Sequence, residues 1–98
     1  MFKKADLSPD YDYNYHHNES GALIIQLPKT NVLNRNEPYE MLYFINSFAK
    51  EKGWDKSWNR YTIQSCRKIE TMIKTKLPAN IDSKEKIKAW LIDNWDKY

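Results

Sequence analysis

The sequence predicts an α+β domain, an N-terminal β-hairpin packed on a three-helix bundle. Three observations predict it: tyrosines alternate with polar residues near the N-terminus, apolar residues recur at helical spacing through the last two thirds, and Pro, Gly and polar caps separate these stretches. Ninety-eight residues suit one domain with one core, hairpin and connector over 1–35 and helices over 36–98. That length is too short for a substrate cleft between two lobes.

In the hairpin, Tyr11, Tyr13, Tyr15 and His17 alternate with Asp12, Asn14 and His16, the period of two of a strand with one ring-rich face. The turn signal Asn18-Glu19-Ser20-Gly21 follows, then an apolar run over 22–27 that Pro28 ends. A lone hairpin is marginal in water, so this one is expected to lay a face on the helices. Residues 29–35 read as a connector.

The first helix opens at Asn36, Glu37 and Pro38, a polar cap and a proline in the turn where its missing N–H costs nothing, and it stops at Gly53. Met41, Phe44, Ile45, Phe48 and Ala49 fall on its core side, Tyr39 and Tyr43 on the other. The second helix starts near Asp55 or Ser57 and ends before Pro78. Its apolar sector holds Trp58, Tyr61, Cys66, Ile69, Met72 and Ile73, while Arg60, Gln64, Arg67, Thr71 and Lys74 form a ridge roughly 20 Å long on the opposite side. Asp82 with Glu85 three residues on reads as a capping box for the third helix. Ile87, Trp90, Leu91, Trp95 and Tyr98 lie along one side of that helix.

Composition narrows the function. A 41% hydrophobic and 14% aromatic content is that of a folded chain, and 30% charged residues of both signs make an ordinary solvated surface. Two glycines leave no Gly-rich phosphate loop, and a single cysteine excludes both an intrachain disulfide and a cysteine-based zinc site. A reducing, cytoplasmic compartment is expected, with no signal peptide and no membrane span. Abundant Asn, Lys, Ile and Tyr, with few Arg among the 16 basic residues, point to an AT-rich genome such as that of a low-GC bacterium or its phage or mobile element, in which case the compartment is the host cytoplasm.

Two surfaces compete as the functional site. The tyrosine face, Tyr11, Tyr13 and Tyr15 joined by Tyr39 and Tyr43, has the aromatic character of a protein interface. A role for the same rings in covering the bundle weighs against it. The basic ridge, Arg60, Gln64, Arg67 and Lys74, widened by Lys84 and Lys88, is suited to phosphates, because residues 56–76 carry six positive side chains against Glu70 alone. A solvated helix face explains it equally well, and the pI near 8.9 is only moderately basic. The loop 78–81 lacks the short Gly-containing turn of a helix-turn-helix, so backbone contact would outweigh base reading.

No catalytic set assembles. Adjacent His16 and His17 point to opposite faces of a strand, and Asp10, Asp12 and Glu19 read as solvated carboxylates rather than a cation site. Cys66 falls in the apolar sector with no histidine near it, so it is expected to be structural. No cofactor or metal is expected. The reading is a small, non-enzymatic accessory or modulatory protein that binds another protein, with a nucleic-acid module on the second helix as the alternative. Self-association through exposed rings also fits this composition.

Overall fold

The computed structural model describes residues 2–13 and 31–98, and three α-helices organise them: α1 (Pro38–Glu51), α2 (Arg60–Thr75) and α3 (Lys84–Asn94). Single 3-10 turns flank them at Lys4–Asp6, Trp54–Lys56 and Trp95–Lys97.

Each helix end has a chemical cause. α1 begins at Pro38 and ends as Gly53 takes φ 75°, its amide returning 3.0 Å to the Lys50 carbonyl. That left-handed conformation strains any residue with a Cβ. α2 begins at Arg60, later than Asp55 or Ser57, because Asn59 is the effective cap. Its Oδ1 accepts the amides of Tyr61 at 2.9 Å and Thr62 at 3.1 Å. At the other end the amides of Lys76 and Leu77 both reach the Met72 carbonyl, and Arg35 ties down the loop that follows. Its Nη1 donates to the Leu77 carbonyl at 3.0 Å, and its Nη2 to Pro78 at 2.7 Å and Ile81 at 2.8 Å.

The capping box expected from Asp82 and Glu85 does not form. Ser83 holds the N-cap position of α3 without a side-chain cap bond, and the connector caps the helix with its backbone. Lys84 N–H donates 2.5 Å to the Asn31 carbonyl, and Leu33 N–H donates 2.9 Å to Asp82, around one antiparallel bridge between Val32 and Ser83. An orphan amide that a main-chain carbonyl already satisfies has no need of a side-chain cap.

The expected α+β class is corrected: the described residues are helical and contain no strand or sheet, so the N-terminal β-hairpin is withdrawn. Most of that hairpin, including Tyr15, His16, His17 and Glu19, lies outside the described residues. The part that is described, 11–13, is unpaired with any strand and lies against α2. The Tyr11 hydroxyl donates to Thr71 Oγ1 at 3.0 Å and the Tyr13 hydroxyl to Glu70 Oε2 at 2.6 Å. Alternation reports an extended chain with one side turned inward, and a helix face satisfies that side as well as a second strand does.

The core is the helical one that the periodicity draws. Met41, Phe44, Ile45, Phe48 and Ala49 of α1 meet Cys66, Ile69, Met72 and Ile73 of α2 and Ile87 and Leu91 of α3, all buried, with Phe2, Leu7 and Leu33 closing the ends. Asn46 fixes Phe2 by accepting its amide and donating to its carbonyl, each at 2.9 Å. Trp54 bridges Phe48 and Trp95 with ring centroids 5.8 Å from each, so tryptophans edge this core rather than fill it. Tyr61, placed in the core sector by the sequence, is 70% exposed, since it sits about 100° from the centre of that sector. No helix among the described residues is long and apolar enough to cross a membrane.

Candidate functional site

α2 presents two sides to the rest of the molecule. One is the core. The other, polar side is itself divided, because the N-terminal segment covers its C-terminal half and leaves its N-terminal half open.

The covered half is built around Glu70, which is 1% exposed. A carboxylate at that depth is tolerable only when fully hydrogen-bonded. Ser8 N–H donates to both of its oxygens, at 3.1 and 3.0 Å, and the Tyr13 hydroxyl supplies the third bond. One helical turn on, Lys74 Nζ donates to the Asp12 carbonyl at 2.7 Å, the Arg35 carbonyl at 2.9 Å and Asn36 Oδ1 at 3.2 Å, and it sits 4.3 Å from the centre of the Tyr13 ring. Burial pushes the Lys74 pKa down, with the nearby Asp12 and Glu70 charges opposing that shift. Lys74 is thus occupied by the chain's own carbonyls. Between residues 5–11 and the side chains of Arg67, Glu70 and Thr71 lies an open cleft of about 410 Å³.

The open half carries Arg60, Tyr61, Gln64 and Arg67, all exposed. The Arg60 guanidinium lies 5.7 Å from the Tyr61 ring centre, a cation–π geometry on an otherwise bare aromatic. Positions 60, 64 and 67 follow one another along a single helical stripe, and Arg67 ends it in the wall of a cleft that Asp6 and Asp10 also line.

The remaining residues singled out by the sequence are dispersed. Lys88 pairs with Glu51 at 2.7 Å, and Lys84 is half-buried at the start of α3. Tyr39 is half-buried against the core, while Tyr43, on the outer side of α1, is 60% exposed. The four of these tyrosines that are described, Tyr11, Tyr13, Tyr39 and Tyr43, therefore share no common face, and of the six ridge residues only Arg60, Gln64 and Arg67 point outward together. Asp10 and Asp12 stay exposed, and no group of three His, Cys, Asp or Glu among the described residues can hold a metal ion. Cys66 is fully buried, and burial pushes its thiol up to about 11.

The structure also brings out residues that periodicity passes over, Glu70, Arg35 and Asn46, and one that periodicity misplaces in the core, Tyr61. Glu70 had a signal in its isolation as the single acid among six bases. Arg35, in a stretch read as connector, had none.

No protein-family model, curated protein or solved structure matches the chain.

Proposed function

We propose that the protein is a small, non-enzymatic binding module that docks another protein through the open half of α2, with Tyr61 as the anchor and Arg60, Gln64 and Arg67 around it. The observation that carries this reading is Tyr61 itself, a large aromatic that is 70% exposed and topped by the Arg60 guanidinium. Tyr and Arg dominate the energetically important positions of protein interfaces, because a ring supplies apolar area at low entropic cost and a guanidinium supplies directed bonds. This anchor replaces Tyr11 and Tyr13, whose hydroxyls are engaged with α2. A modulatory role in a reducing cytoplasm accords with a compact helical domain whose single thiol is buried.

Nucleic acid is the weaker reading. Lys74 and Lys88 are committed within the molecule, and the stripe of exposed cations ends at Arg67, in a cleft that the carboxylates of Asp6 and Asp10 also line. A phosphate backbone gains affinity from each cation it meets, and this stripe offers few.

The test is affinity capture with the wild-type chain and with Tyr61→Ala, each candidate then titrated as a purified protein by calorimetry. A partner whose affinity falls about tenfold or more with Tyr61→Ala, with the fold unchanged, supports the anchor. Salt-sensitive binding to an oligonucleotide that survives Tyr61→Ala and is lost in Arg60→Glu and Arg67→Glu would install the nucleic-acid reading instead.

A further inference from the structure

Residues 8–13 display, within the chain itself, what the polar side of α2 accepts. This segment runs along the helix in the same direction, Ser8 meeting Glu70, Tyr11 meeting Thr71 and Asp12 meeting Lys74. From Asp10 it reads Asp-Tyr-Asp-Tyr, acids and rings in alternation. Both tyrosine hydroxyls bond to α2 side chains, and the Lys74 ammonium lies over the Tyr13 ring at 4.3 Å. Asp10 and Asp12 stay exposed. Burial lowers the Lys74 pKa, and the Asp12 carboxylate opposes that shift, so the acid supports the cation beneath it.

The same stripe continues into the open half. Arg60, Arg67 and Lys74 recur every seven residues, each within about 20° of the last around the axis, so the three cations lie nearly on one line. Lys74 is engaged by the chain's own acceptors. Arg60, Gln64 and Arg67 are exposed, and none of them has a hydrogen bond or ion pair among the described residues. From Lys56 to Lys68 the sequence contains no acid. A surface with one sign of charge recruits a partner of the other sign.

We infer that the open half of α2 takes a short, extended acidic segment of the partner protein, its carboxylates on Arg60 and Arg67 and a ring between them against Tyr61. The inference rests on the docking surface proposed above and adds the chemistry of what docks there. Arg60 and Arg67 are about 10 Å apart along the helix axis. In an extended chain, carboxylates two and four residues apart are separated by about 7 and 13 Å, and long arginine side chains bridge the difference. Asp6 and Asp10 line the same cleft as Arg67 and so bound the site at that end, which suits a short segment better than a long polyanion.

Fluorescence anisotropy on the full chain tests it, with labelled peptides of four Asp-Tyr, Asn-Tyr or Lys-Tyr repeats and a labelled duplex oligonucleotide as probes. The Asp-Tyr peptide is expected to bind with a dissociation constant below about 1 mM, and the Asn-Tyr peptide about tenfold or more weakly than that. Arg60→Glu and Arg67→Glu each weaken the Asp-Tyr complex about tenfold or more, and the double variant binds the Lys-Tyr peptide instead. An Asn-Tyr peptide that binds as tightly, and is lost with Tyr61→Ala, overturns the acidic partner while leaving the Tyr61 anchor standing. Asp-Tyr binding that survives Tyr61→Ala and is lost in both arginine variants supports the acidic partner and removes the anchor. Binding indifferent to Arg60→Glu, the result if the peptide only displaces residues 8–13, overturns the inference. So does a wild-type chain that binds none of the peptides, or one that binds the oligonucleotide more tightly than the acidic peptide.

Discussion

The Tyr13 hydroxyl lies 2.6 Å from Oε2 of Glu70, a residue 57 positions away that is 1% exposed. The pair joins the N-terminal segment to the middle of α2. It also explains how a carboxylate persists inside a small core, since the same group takes the Ser8 amide on both oxygens. Removing the hydroxyl alone isolates this bond, because the Tyr13 ring can keep its place over Lys74. Tyr13→Phe is expected to lower stability by about 1.5–3 kcal/mol, the range for a hydrogen bond to a charged group. Urea unfolding measures it, and a loss below about 0.5 kcal/mol would show that water replaces the hydroxyl freely.

Lys74 and Arg67 lie two turns apart on α2 and are expected to respond in opposite ways. Lys74→Ala leaves the carbonyls of Asp12 and Arg35 and the Asn36 side chain without their donor, and should cost about 1–3 kcal/mol. Arg67→Ala removes an exposed side chain and should change stability by less than about 0.5 kcal/mol. Thermal unfolding of both variants separates a structural cation from a surface one. Equal effects would contradict the division of α2 into a covered half and an open half.

This division marks how far the sequence could be read. The apolar stripe of α1 is legible because hydrophobic spacing and burial share one cause, and all five residues it marks are buried. The basic stripe of α2 is legible as a pattern but not as a use. Spacing places Arg67 and Lys74 on one polar side, and whether a chain segment lies over that side depends on a contact spanning 62 residues, from Asp12 to Lys74. The tyrosine alternation fails for a related reason: it identifies an extended chain and leaves open what its inner side meets. Tyr61 and Tyr98 are misplaced for a local reason, because Tyr61 sits at the margin of the core sector and α3 tightens into a 3-10 turn at Trp95 before it reaches Tyr98.

Cys66 gives the structure a pH dependence of known sign. Burial raises its thiol from an ordinary 9.0 to about 11 in the folded chain. A raised acid pKa favours the protonated native state, so this contribution is complete below pH 9.0 and is lost as the pH rises towards 11, where the unfolded thiol ionises first. Lysines and tyrosines titrate in the same window, so the informative quantity is the stability difference between wild type and Cys66→Ala. That difference is expected to stay constant from neutral pH to pH 9 and to shrink above it. In the native state at neutral pH the thiol should also resist alkylation, and rapid labelling without unfolding would mean that it is not buried.

Arg35 shows what a planar guanidinium does that an ammonium cannot. Two of its nitrogens serve three carbonyls, those of Leu77, Pro78 and Ile81, and so clamp the end of α2 to the loop before α3. Burial lowers its pKa while Asp82 opposes the shift, so the positive charge is held in place against partial desolvation. Arg35→Lys keeps the charge but concentrates the donors on one atom, which cannot reach all three carbonyls from one position. The expected cost is about 1–3 kcal/mol. Hydrogen exchange should locate it at the amides of Leu77 and Ile81, which bond to Met72 and Pro78, while the amides inside α1 are slowed or quickened far less. Uniform acceleration across all three helices would instead make Arg35 part of the global fold, and unchanged exchange at Leu77 and Ile81 would remove the clamp.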